Sequence, residues 1–207
     1  TEMVATVYQN WVDNYIYLAN QFQADGVTPR TTTSESGATI PVMKAEQTDA
    51  VITGFEWSVN HQFNQAWSTD LALEIIEGRD TGNNQELPLM PANNAHINMH
   101  YHAQDFAGLQ NQKFTVGVKL VDSKKTAGAY EPFSQFDNAP FGRASTDAYA
   151  LWNLGYQAKM KLDKQNLYLS AAVNNVFDTA YVDFLNTYKG VTLNTGRNIQ
   201  LKARLDF

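Results

Sequence analysis

Apolar and polar residues alternate along much of this chain, most regularly at its end. From Gly196 to Phe207, Ile199, Leu201, Ala203, Leu205 and Phe207 are apolar, while Asn198, Gln200, Lys202, Arg204 and Asp206 are polar. Side chains alternate faces along a strand, so this pattern predicts a β-strand with one oily and one wet side. Taken alone, it fits a soluble sandwich as well as a strand between lipid and a water-filled lumen.

The same alternation predicts seven further strands. They cover residues 1–17, 43–61, 66–77, 93–104, 113–121, 144–160 and 166–176. Tyr15, Ile16, Tyr17 and Leu18 break the rhythm of the first, as an interfacial aromatic cluster or a loop root does. Short turns are expected near residues 62, 106 and 163, and long loops near 30, 84, 132 and 186. All six prolines fall in or beside the long loops, where no ladder hydrogen bond is lost. Long strands with short turns at one end and long loops at the other are the plan of an antiparallel transmembrane β-barrel. Sandwich strands are shorter and their connections less one-sided.

Composition narrows the choice. There are 15 basic and 21 acidic residues, for a net charge of −6, and no cysteine. The balance argues against a nucleic-acid partner and excludes disulfide and thiolate chemistry. No apolar run reaches the eighteen residues of a spanning helix. Residues 1–3 have no signal-peptide character. No enzyme motif is present: there is no Gly-x-Ser-x-Gly, no phosphate-binding glycine loop and no His-Glu-x-x-His.

Three of the four histidines, His96, His100 and His102, fall on the wet face of one predicted strand. Imidazole is a ligand for zinc, copper and nickel. His100 and His102 have Cα atoms roughly 6.8 Å apart, a spacing from which two imidazoles can converge on one ion. His96 belongs to a second site or a relay. Hydrogen bonding across a wet lumen wall is the alternative role for all three. In the long loops, Tyr130, Glu131, Asp137, Asp183 and Tyr188 are candidate ligand contacts. Arg197, Asp178 and Tyr181 are expected to stabilise the rim.

Val173-Asn174-Asn175-Val176-Phe177-Asp178, Ala180-Tyr181, Gly196-Arg197 and the terminal Phe207 resemble the end of TonB-dependent outer-membrane receptors. Thr53-Gly54-Phe55-Glu56 is similar to the Gly-x-Glu of that family, and Leu87-Pro88-Leu89-Met90-Pro91 to its proline-containing loop. Val176 stands where Leu is more usual. The pairing of Tyr181-Val182-Asp183-Phe184-Leu185 with Gly196-Arg197-Asn198-Ile199 is most like the zinc and metal-uptake branch. The resemblance implies that residues 1–207 are the last eight strands of a 22-stranded barrel in the bacterial outer membrane. Its partners would be outer-membrane lipid, the plug domain and remaining barrel strands of the same receptor, and the TonB complex acting through the plug. It implies no resident cofactor, and zinc or an iron chelate as transported ligand. A ferric-siderophore or haem receptor remains open. So does a self-closed eight-stranded barrel of structural or adhesive role, in which residues 1–10 pair with 198–207, and a soluble ligand-binding barrel with its apolar faces inward.

Overall fold

The computed structural model describes residues 1–125, 145–186, 188–189 and 192–206. Among these described residues eleven strands run in chain order: β1 (Glu2–Asn20), β2 (Thr31–Thr33), β3 (Thr39–Pro41), β4 (Met43–Gln62), β5 (Trp67–Asp80), β6 (Gln85–Glu86), β7 (Asn94–Ala103), β8 (Leu109–Val121), β9 (Tyr149–Leu162), β10 (Gln165–Asn174) and β11 (Asn198–Asp206). Eight of them form one antiparallel sheet in the order β1-β4-β5-β7-β8-β9-β10-β11. These are the eight strands the alternation predicts. The additional three decorate the long connections: β2 and β3 form a small hairpin, and β6 pairs with the outer end of β5.

The register places the alternating residues in rows. On one face, Val59, Leu71, Ile97, Val118 and Trp152 succeed one another from β4 to β9. On the other, Asn60, Asp70, Asn98, Gly117 and Asn153 do the same. The apolar face carries no second protein layer among the described residues, and Val7, Trp11 and Leu201 are each more than 70% exposed. A soluble barrel would turn this face inward. A continuous exposed apolar surface instead marks a lipid or protein contact.

The irregularity at Tyr15 to Leu18 is a β-bulge. Val12 pairs with Ala50 and Tyr15 with Thr48, so β1 holds one more residue than β4 across this step. Asn14 takes a positive φ of 57° there, and its N–H donates to Oδ1 of Asp49 at 3.1 Å. The extra residue reverses the parity of the strand. Ile16 and Leu18 thereby join Trp11 on the apolar face, and Tyr15 and Tyr17 join Tyr8 on the polar one. A second bulge lies between Gln110 and Lys113 on β8.

Two clusters of buried side chains lie at the long-loop end. Leu87 and Met90 fold down on Ala50, with Val12, Tyr15 and Ile52 around them. Ala92, Val121 and Phe184 form a second cluster against Tyr149. At the short-turn end, Trp67, Tyr101, Phe114 and Tyr156 occupy one row of four neighbouring strands, with ring centroids 4.9, 6.4 and 4.7 Å apart. An aromatic band at one level of the apolar face suits a membrane–water boundary.

The expectation of a self-closed eight-stranded barrel is not met. Residues 1–10 pair with β4, residues 198–206 pair with β10, and the described sheet stays open between β1 and β11. An open strand edge cannot face lipid, because its N–H and C=O groups would go unsatisfied there.

Candidate functional site

The polar face of β5, β7 and β8 holds a hydrogen-bonded network built on the predicted histidines. His100 lies between two partners: Nε2 is 2.5 Å from Oδ1 of Asp70 on β5, and Nδ1 is 2.8 Å from Oγ1 of Thr115 on β8. The other oxygen of Asp70 accepts a hydrogen bond from Nδ2 of Asn98 at 2.7 Å. Asn98 can lie flat because its cross-strand neighbour is Gly117, where a Cβ would overlap Oδ1 of Asn98. Glycine in a strand often marks such a close approach.

His102 is held separately, with Nε2 2.9 Å from Oγ of Ser68. Ser68 stands directly opposite His100, and Asp70 directly opposite Asn98. Both imidazoles therefore lean one diagonal step toward β5, each onto its own partner, and do not converge on one point. His96 is farther along the strand, facing Ala72 on one side and Lys119 on the other. It lines a cleft of about 380 Å³ with Thr6, Glu56, Ser58, Glu74 and Asn94. Among the described residues no three His, Cys, Asp or Glu side chains are grouped to hold a metal ion. The network supplies single imidazoles; His100 has the kind of carboxylate partner that orients a metal-binding histidine, and its other nitrogen is held by the Thr115 hydroxyl, which a metal would have to displace.

Of the loop candidates, Tyr130, Glu131 and Asp137 lie outside the described residues. Asp183 ties its own loop to β9. It accepts hydrogen bonds from the hydroxyl of Tyr149 at 2.9 Å and from N–H of Leu185 at 2.9 Å, and its own N–H donates to Oδ1 of Asn194. The Tyr149 and Tyr181 rings pack at 4.5 Å. Burial, then the charge of Asp183, raises the pKa of the Tyr181 phenol above its ordinary value, so the loop seat favours neutral tyrosine. Tyr188 is 68% exposed. Lys189, by contrast, is buried with its ammonium over the Phe184 ring at 4.4 Å and donating to the Phe184 carbonyl at 2.7 Å.

Asp178 and Arg197 meet across the last long connection. Oδ1 of Asp178 accepts the N–H of Arg197 at 2.7 Å, joining the two ends of the last long connection. Asn175, buried with φ of 52°, accepts from N–H of Thr179 at 2.8 Å and donates to its carbonyl at 2.9 Å. Sequence reasoning missed Asp70 and Thr115 as partners of His100, and Asn98 as the second partner of Asp70. Their polar alternation is visible in the sequence, but which of them meet depends on register.

Comparison with known proteins fits this architecture. No curated protein matches the chain. Among solved structures, one described as "Copper transporter OprC" superimposes with a TM-score of 0.71 at 18% identity, over 97% of this chain and 28% of that one. The likeness is one of fold, and the chain spans little more than a quarter of that protein's length. The family model described as "TonB dependent receptor-like, beta-barrel" matches residues 3–176, and the chain belongs to that family.

Proposed function

We propose that the chain is the C-terminal wall of a 22-stranded outer-membrane receptor that takes up a scarce metal ion or metal chelate, with zinc the first candidate. The apolar face meets lipid and the polar face lines the lumen. The short turns lie in the periplasm and the long connections outside. A plug domain and the TonB complex supply the gating. The observation that carries the metal reading is His100, oriented by Asp70 on the lumen face beside a second imidazole, His102. A solved protein of the same fold is described as a copper transporter, which supports a metal cargo in general. Since the described residues gather no complete ligand set, the remaining donors come from other parts of the receptor. Tyr188, exposed in the last long connection, contributes to the outer vestibule.

The test uses the intact receptor in an outer membrane lacking other zinc receptors. Zinc-limited growth restored by the receptor, and reduced at least tenfold in zinc uptake by His100→Ala, supports the reading. Growth restored on a ferric siderophore or haem but never on zinc would replace zinc as cargo. An antibody to residues 198–207 should detect a natural polypeptide several times heavier than this chain. A band at the chain's own mass would overturn the 22-stranded barrel.

A further inference from the structure

The polar face is divided by charge. Its β4 and β5 wall carries Glu56, Asp70 and Glu74, whereas β9 to β11 carry Lys159, Lys202 and Arg204. The three cations surround Tyr168. Lys159 and Arg204 stand directly opposite it on either side, with Lys159 Nζ 5.9 Å and the Arg204 guanidinium carbon 4.5 Å from the ring centroid. Lys202 lies one rung up, opposite Ser170. Together with Gln157 and Asn111 these residues line a pocket of about 400 Å³. Among the described residues, the one ion pair made by the three cations joins Arg204 Nε to Oδ1 of Asp206 at 3.1 Å.

Lys159 and Arg204 approach one aromatic ring from strands two ladder steps, about 9.6 Å, apart, so like charge gathers on both sides of it. Lys202 and Arg204, alternate residues of β11, have Cα atoms roughly 6.8 Å apart, inside the Debye length of roughly 8 Å in physiological salt, so their repulsion is only partly screened. An anion in the pocket converts that repulsion into attraction. The Ser170 hydroxyl and the Gln157 amide add neutral hydrogen-bond donors, and the planar guanidinium suits a carboxylate. We propose that Lys159, Tyr168, Lys202 and Arg204 form a carboxylate-binding subsite on the polar face of β9 to β11. The carboxylate belongs either to a diffusible anion in the lumen or to an acidic side chain of the receptor itself. The subsite does not depend on which metal the receptor carries.

The test is made on the intact receptor in detergent, with citrate as the diffusible probe. Citrate affinity measured by calorimetry at low salt should fall at least tenfold in Lys159→Gln and in Lys202→Gln. It should hold in Lys202→Arg and in Lys161→Gln, the latter a lysine outside the pocket. Separately, carbodiimide coupling followed by peptide mass spectrometry should join Lys159 or Lys202 to an Asp or Glu of the receptor if the carboxylate is internal. Either result supports the subsite and identifies its source. If a variant fails to insert, protection of Lys159 and Lys202 from acetylation by citrate in the unaltered receptor gives the same readout. Absence of a pocket-dependent citrate response together with absence of coupling overturns the proposal.

Discussion

Nε2 of His100 stands 2.5 Å from Oδ1 of Asp70 on the neighbouring strand, and the second Asp70 oxygen is held by Asn98. One carboxylate thus satisfies two side chains of β7. Replacing Asp70 with alanine leaves the imidazole and the amide without their acceptor. A part-buried hydrogen-bonding group so orphaned costs about 1–3 kcal/mol. Asp70→Ala should therefore lower the midpoint of urea unfolding, and His100→Ala should lower it by itself. Because the two share one contact, the double variant should lose less than the sum of the singles. Strict additivity would show that the contact is not formed.

Tyr8 lies across Gly54, its direct partner on β4. A Cβ built at Gly54 would overlap the tyrosine ring. The ring covers backbone that glycine leaves bare, a pairing that helps pin strand register. Gly54→Ala should push the ring off the sheet and destabilise the barrel by about 1–3 kcal/mol, as overpacking does. The paired change Gly54→Ala with Tyr8→Ala should recover most of that loss. Unfolding midpoints of the three variants decide the matter, and an unchanged midpoint in Gly54→Ala alone would deny the stacking any role.

Ile97 and His96 are neighbours on β7 but face opposite ways, Ile97 in the row of Leu71 and Val118. An arginine on the lipid face near mid-membrane costs about 2–4 kcal/mol in barrels of this kind, whereas the lumen tolerates it. Ile97→Arg should therefore reduce insertion and stability, and His96→Arg should leave both nearly intact. Folding into lipid vesicles, followed by the heat-dependent shift in gel mobility, reads the difference. Equal effects at the two positions would reverse or abolish the facing assigned to the sheet.

At the tip of the first long connection, Asp25 caps its own turn. Its carboxylate accepts from the Thr28 hydroxyl at 2.5 Å and from the N–H groups of Val27 and Thr28 at 3.0 and 2.9 Å. The Thr28 hydroxyl first, and then those N–H groups, hold its pKa below the usual carboxylate value. A lowered folded pKa stabilises the turn at pH values above the unfolded pKa, about 3.9, and the contribution is lost as pH falls through the folded value. Amide-exchange protection at Val27 and Thr28, corrected for intrinsic rates, should hold at pH 5 and be lost only as pH falls below the ordinary carboxylate value. Asp25→Asn should show weaker protection at pH 5 and little further change with acid.

The strands were legible because period-two alternation survives from β1 to β11, and the long loops because they collect the prolines. What lay hidden depended on register. The bulge at Asn14 reads in sequence as a broken pattern, yet it restores the pattern by moving Ile16 and Leu18 onto the face of Trp11. The aromatic row of Trp67, Tyr101, Phe114 and Tyr156 draws one residue from each of four strands, so no local window contains it. The histidines were found by composition and parity. Their partners were not, because Asp70 and Thr115 are 30 and 15 residues from His100 and become neighbours only once the strands pair. The hairpin of β2 and β3 escaped notice because three-residue strands are too short to show a period.

Asn175 begins the last long connection in a left-handed conformation, with φ of 52°, and is buried. Its side chain closes a reciprocal pair with the Thr179 backbone, while its own N–H donates to Oδ1 of Asn153 on β9. Asparagine tolerates this backbone region better than most residues, and its amide can serve both the donor and the acceptor of Thr179. Asn175→Ala loses both contacts and keeps the left-handed strain, at a combined cost of about 2–4 kcal/mol. Asn175→Gly should recover the backbone part alone. Asn175→Asp keeps the acceptor for the Thr179 N–H but sets a carboxylate against the Thr179 carbonyl. The expected order of protease resistance for residues 178–197 is therefore Asn, then Gly, then Ala, with Asp below Asn. Limited proteolysis of the folded receptor ranks them directly. If alanine proves as resistant as asparagine, the loop is seated by Phe184 and Val182 in their buried positions rather than by the turn that launches it.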